Sequence, residues 1–130
     1  MTLIQQKFTA DCAVACLAMF LGVEYEDILR HVNGHELTLG GLTNYREAYI
    51  ARLFEVEIFF LDRTRIDRSK AAVLTVPSVN SKTGLTHAVY WDGTRIYDPN
   101  QGRKGKKSYT SEAAWKVTID GYQRLTRKAM

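Results

Sequence analysis

A cysteine and a histidine separated by most of the chain have the chemistry of a thiol–imidazole pair. Cys12 opens an apolar stretch, Cys12 to Leu21 (CAVACLAMFL), and His87 opens the run HAVYW after a polar loop, Ser78 to Thr86. Acyl transfer by a thiol needs a sulfur that carries negative charge, a base within hydrogen-bond reach, a group that orients the base, and a donor for the developing oxyanion. A cysteine at a helix start meets unpaired backbone N–H groups and the positive end of the helix dipole, both of which favour negative charge. An imidazole is suited to proton transfer near neutrality. The orienting group is expected to be Asp98, with Asn100 a weaker candidate. Gln6, six residues before Cys12, or its neighbour Gln5, is expected to supply a side-chain amide to the oxyanion. Asp92-Gly93 between two strand-like runs predicts a tight hairpin. Counted outward from that turn, Trp91 faces Thr94, Tyr90 faces Arg95 and His87 faces Asp98. Directly opposed side chains on antiparallel strands have Cβ atoms about 4.5–5.5 Å apart, close enough for the carboxylate to hold the ring.

The elements that must position these groups follow from period and punctuation. The stretch after Cys12 is apolar almost all round, as in a helix enclosed by a core, with Thr9-Ala10-Asp11 as its entry and Gly22 as its stop. An amphipathic helix is expected from about Glu24 to Val32, ended by a turn at Asn33-Gly34. A third helix is expected from Thr43, as cap with Glu47 near the capping-box position, to about Phe54. The second half changes to short β-branched and aromatic runs: Val56 to Leu61, Ala72 to Val76, His87 to Trp91 and Arg95 to Tyr97. A short helix over Ser111 to Lys116, and strands at Val117 to Ile119 and Tyr122 to Leu125, complete the expectation. Helices followed by antiparallel strands predict an α+β fold, N-terminal helices packed on a C-terminal sheet, with residues 1–130 forming one domain.

Two blocks resemble a known family. Gln6-Lys-Phe-Thr-Ala-Asp11-Cys12 leading into Ala-Val-Ala-Cys-Leu-Ala-Met19 is similar to the start of the bacteriocin-processing cysteine peptidases, papain-like domains that remove double-glycine leaders. His87-Ala-Val-Tyr-Trp and Asp98-Pro99-Asn-Gln-Gly102 resemble their histidine strand and Asp-Pro turn. The resemblance implies a papain-like fold and a thiol protease, with Cys12 as nucleophile, His87 as base, Asp98 as orienter and Gln6 as oxyanion donor. It implies a protein or peptide substrate and no cofactor. Ala13 stands where that pattern usually has glycine. A catalytically inactive papain-like peptide-binding module and an acyltransferase using the same thiol are the second readings.

Composition bounds the rest. Apolar residues at 45% and charged residues at 25% are those of an ordinary globular protein, so a disordered chain is not expected. No apolar run is long enough to span a bilayer. The opening MTLIQQKFTADC lacks a basic start followed by an apolar core, so the expected location is cytoplasmic. Two cysteines four residues apart are too few and too close for a disulfide framework. Cys16 is expected to be a packing thiol. Cys12, Cys16, His31 and His35 approach zinc-finger spacing, but Cys16 lies within an apolar run, not on a metal knuckle. The net charge of +4 is concentrated in Arg103, Lys104, Lys106 and Lys107 and in Arg124, Arg127 and Lys128. Too few aromatics accompany them to stack bases, so nucleic acid is not expected as a partner.

Overall fold

The computed structural model describes residues 2–80 and 84–125. The expected basic group at Arg124, Arg127 and Lys128 lies, beyond Arg124, outside the described residues, as does part of the 78–86 loop. The first half of the chain is helical: α1 (Cys12–Leu21), α2 (Tyr25–Leu29), α3 (Gly34–Thr38) and α4 (Asn44–Leu53). The second half supplies β1 (Ile58–Asp62), β2 (Ala72–Pro77), β3 (Thr86–Trp91), β4 (Ile96–Tyr97), α5 (Ser111–Val117) and β5 (Asp120–Arg124). The strands form one sheet in the order β1-β5-β2-β3-β4, and every pairing is antiparallel. The fold is α+β.

The bounds of α1 are those the sequence predicts, and its physical cause is visible. Residues 13–20 are all buried, so an all-apolar helix has core on every side. Gly22, at φ 70°, ends it. The Val23 N–H returns to the Ala18 carbonyl at 3.0 Å and the Gly22 N–H to Met19 at 3.3 Å, which satisfies the last turn. Val14, Leu17, Met19 and Phe20 pack with Ile28, Ile50, Val73, Tyr90, Tyr97 and Tyr122. Each such side chain, once buried, contributes about 1.5–3 kcal/mol of transfer free energy. The opposite sheet face carries Leu74, Val76, Val89 and Trp91 against α5, where Trp115 meets Trp91 edge-on at 5.3 Å. The sheet thus has helix on both faces.

Several expectations need correction. The second helix stops at Leu29, short of Val32. Asn33-Gly34 begins a helix: the Glu36 N–H donates to Asn33 Oδ1 at 2.9 Å, and the Asn33 N–H donates to Glu36 Oε1 at 3.1 Å. The Asn-x-x-Glu spacing carried that signal. In α4 the Thr43 hydroxyl accepts from the Arg46 N–H at 3.2 Å, and Glu47 turns inward instead of capping. The first strand begins at Ile58 because Val56 still belongs to the helix end. Its N–H bonds back to the Ala51 carbonyl at 3.0 Å, after Glu55 takes φ 62°. Val117 closes α5, and residues 118–119 lead into β5.

The hairpin register also differs. Tyr90 pairs with Tyr97 and Trp91 with Ile96, so the connection is Asp92 to Arg95, not two residues. Asp92 Oδ1 accepts the Thr94 and Arg95 N–H groups, each at 2.8 Å, and this side-chain turn lengthens the loop. The pairing is displaced by two residues. Displacement by an even number keeps every side chain on its face, whereas an odd one would reverse it.

Among the described residues no helix is long and apolar enough to cross a membrane.

Candidate active site

Cys12 is the first residue of α1, at the junction of helices and sheet, and is half-buried. Asp11 precedes it without capping the helix. Its carboxylate, fully enclosed, accepts the Lys7 N–H at 2.7 Å, the Phe8 N–H at 2.9 Å and the Tyr25 hydroxyl at 2.7 Å. One buried acid thereby shapes the turn that delivers residues 6–11 to the mouth of α1. Burial first, and then the Asp11 carboxylate, hold the Tyr25 phenol well above the usual tyrosine range, so it remains a donor.

The 6–11 turn brings Gln6 into the site and leaves Gln5 outside it. Gln5 Nε2 donates to the Gln101 carbonyl at 2.8 Å on the exposed side. Gln6 is 6% exposed; its Nε2 donates to the Phe8 carbonyl at 3.1 Å and more loosely to Asp11 Oδ1 at 3.4 Å. The Gln6 backbone N–H donates to the Pro99 carbonyl at 3.1 Å. The segment before Cys12 is therefore fastened to the loop that follows Asp98.

His87 enters on β3, opposite Val76, with the preceding loop closed by Ser78 N–H to the Leu85 carbonyl at 2.9 Å. Its Nε2 lies 2.7 Å from Asp98 Oδ1, both side chains being buried. The pair expected from direct opposition thus forms by another route. Asp98 lies just past the last paired residue of β4, in a turn closed by Gln101 N–H to the Asp98 carbonyl at 2.8 Å. The displaced register puts it diagonal to His87, and a diagonal neighbour on the same face remains within side-chain reach. The carboxylate is held from two further sides: Oδ1 accepts the Asn100 N–H and Oδ2 the Tyr109 N–H, each at 2.8 Å. Asn100 gives Asp98 a backbone donor, while its own side chain accepts from Arg103 Nη1 at 2.8 Å.

The imidazole is pulled in two directions. Burial disfavours its charged form, but the Asp98 hydrogen bond, the Cys12 hydrogen bond and the negative charge of both outweigh burial and raise its pKa to about 9. With Nε2 on Asp98, Nδ1 is the ring nitrogen left for Cys12. Cys16, one turn further along α1, is fully enclosed, and burial pushes its thiol up.

Gln6, Cys12, His87 and Asn100 line one cleft of about 620 Å³. One wall is the 38–44 segment, held by the Glu36–Arg46 ion pair at 2.8 Å and by the Arg46 guanidinium on the His31 carbonyl. The floor is β2 and β5, where Val73 pairs with Tyr122 and Thr75 with Asp120. Gly121 allows this approach: a Cβ there would stand 2.5 Å from the Val73 carbonyl oxygen. Arg103 and Lys106, from the loop that follows Asp98, also line it. Glu47, which sequence reasoning missed, also lines the cleft, 7% exposed.

The spacing that suggested a zinc site brings nothing together. Cys16 is in the core, the His31 ring packs edge-on against Phe54 at 6.0 Å, and the His35 ring lies beneath Gly40. Among the described residues no three His, Cys, Asp or Glu side chains form a metal-holding group. A thiol, an imidazole held by a buried carboxylate and a side-chain amide in one cleft form a set capable of nucleophilic acyl transfer. Comparison of the sequence with protein-family models gave no match. Comparison with curated proteins gave none either.

Proposed function

We propose that the chain is a papain-like cysteine peptidase that shares its catalytic set with the bacteriocin-processing peptidases and cleaves a peptide or isopeptide bond in a protein or peptide substrate. The observation that carries this reading is the His87–Asp98 bond at 2.7 Å beside Cys12, with the carboxylate fixed by two backbone N–H groups. That arrangement keeps the imidazole protonated near neutrality, with its free nitrogen toward the sulfur.

The Cys12 sulfur attacks the carbonyl carbon, forming the S–C bond while the oxygen takes up negative charge. The Cys12 backbone N–H and Gln6 Nε2 donate to that oxygen, Gln6 exchanging its loose 3.4 Å contact with Asp11 for the new one. Collapse breaks the C–N bond, and His87 gives its proton to the departing amine. A water, deprotonated by His87, then attacks the thioester, releases the carboxylic product and returns the sulfur as thiolate. Asp98 holds the ring throughout.

Alkylation by iodoacetamide at pH 6 tests the reading. Cys12 is expected to react much faster than free cysteine, whose thiol is scarcely ionised there, and Cys16 not to react at all. The Cys12→Ala protein should lose labelling and peptide turnover while keeping its fold. Labelling of Cys12 no faster than free cysteine, or turnover retained in Cys12→Ala, overturns it.

A further inference from the structure

One buried acid in the cleft has no part in the chemistry above. Glu47 lies in the first turn of α4 and is 7% exposed. Among the described residues no group hydrogen-bonds or ion-pairs with its carboxyl. Beside it on β5 is Tyr122, 2% exposed, whose hydroxyl likewise has no partner. Asp120, two residues earlier and so on the same strand face, is exposed and lines the same cleft. Among the described residues the basic side chains that line it, Arg103 and Lys106, belong to the loop after Asp98. The cleft therefore has an acidic end on α4 and β5 and a basic one on the loop after β4, with β2 and β3 between them in the sheet. Phe60 and Val73 provide apolar wall beside the acidic end.

We propose that this end, with Glu47 and the Tyr122 hydroxyl at its base and Asp120 at its rim, is the subsite for a lysine or arginine side chain of the substrate. The inference rests on the peptidase reading and names its substrate class. An aliphatic stem would lie along Phe60 and Val73 while the cationic head reaches the carboxyl, the usual division of a long basic side chain. An apolar side chain would close off two polar groups without partners, and an acidic one would meet like charge; both are disfavoured. Among the described residues the titratable groups facing Glu47 are Asp120 and Tyr122 from β5 and Cys16 from α1, none of them a cation. Burial, and then the Asp120 charge, push the Glu47 carboxyl up to about 8; a cation seated against it favours the ionised form.

The test uses dipeptidyl chloromethyl ketones, in which the Cys12 sulfur displaces chloride and forms a thioether. Lysine is compared with norleucine at each of the two positions before the ketone. Each rate is divided by the same protein's rate with iodoacetamide. At one position the lysine reagent should be faster by about ten-fold or more in the native protein. That ratio should collapse toward one in Glu47→Gln. Asp120→Asn, at an exposed site that does not threaten folding, should reduce it less. Equal rates for the two reagents, or a ratio that survives in Glu47→Gln, overturns the subsite. If iodoacetamide labels Cys12 but neither peptidyl reagent does, the subsite fails and the reactive thiol stands. If iodoacetamide itself fails at pH 6, the peptidase reading falls and the subsite with it.

Discussion

Replacing Glu47 by glutamine should make the protein more stable, and more so as the pH rises. The carboxyl sits 7% exposed, and its pKa is pushed from 4.5 to about 8 by burial and then by Asp120. Below pH 4.5 both the folded and the unfolded chain hold the proton, so the residue is neutral in both. Between 4.5 and 8 the unfolded chain releases it and the folded chain retains it. The folded state then binds more protons, and stability falls with rising pH. The interval is about 3.5 in pH, and at about 1.4 kcal/mol for each the loss reaches up to about 5 kcal/mol above pH 8. Glutamine has nearly the same shape and nothing to ionise. Urea unfolding of both proteins, followed by tryptophan fluorescence from pH 4 to 9, gives the difference curve. It should lie near zero at pH 4, climb from about pH 5 and level off beyond pH 8. His87 titrates in both proteins: its raised pKa gives stability that is full below 6.5 and lost as pH rises through about 9, and subtraction removes it. A flat difference, or a glutamine variant less stable at pH 8, would refute the reasoning.

Asp98→Asn should lower the His87 pKa, because Asp98 supplies the first hydrogen bond and part of the charge that outweigh burial; histidine Cε1 resonances followed through a pH titration check this. The same variant turns an amide donor toward one of three donors now facing the carboxylate, costing about 1–3 kcal/mol, and should cut turnover by about 10²–10⁴ without abolishing it. Gln6→Ala should reduce kcat by about 10²–10³ with KM little changed, as for any donor used mainly in the transition state. An effect confined to KM would remove Gln6 from the oxyanion site.

Helix α1 was legible because an all-apolar run between a polar entry and a glycine admits one arrangement, burial on every side. The Gln6, Cys12, His87 and Asp98 positions were legible as residue types at turning points of the chain. The hairpin register was not, because Asp92 captures two backbone N–H groups with its own side chain and so lengthens the loop. The His87–Asp98 pair forms all the same, because the displacement is even. Asp11 is legible as part of the helix entry, but not as the organiser of a turn, a role set by Tyr25 arriving from the next helix. The inward turn of Glu47 left no trace in the sequence, where its place suits a capping box. An acid in the first turn of a helix suits the dipole whichever way it faces, and only the packing of α4 against the sheet turns it inward.

The Gln6 N–H on the Pro99 carbonyl and the Gln5 amide on the Gln101 carbonyl act as a clasp between the chain's opening segment and the loop that bears the orienting acid. Alignment of the Gln6 amide with the Asp98 carboxylate is thereby separated from assembly of the core. Prying the clasp open would leave the sulfur on its helix and the ring on its strand, yet displace amide and carboxylate together. On the peptidase reading, a ligand wedged beneath residues 5–6 would stop turnover without entering the cleft.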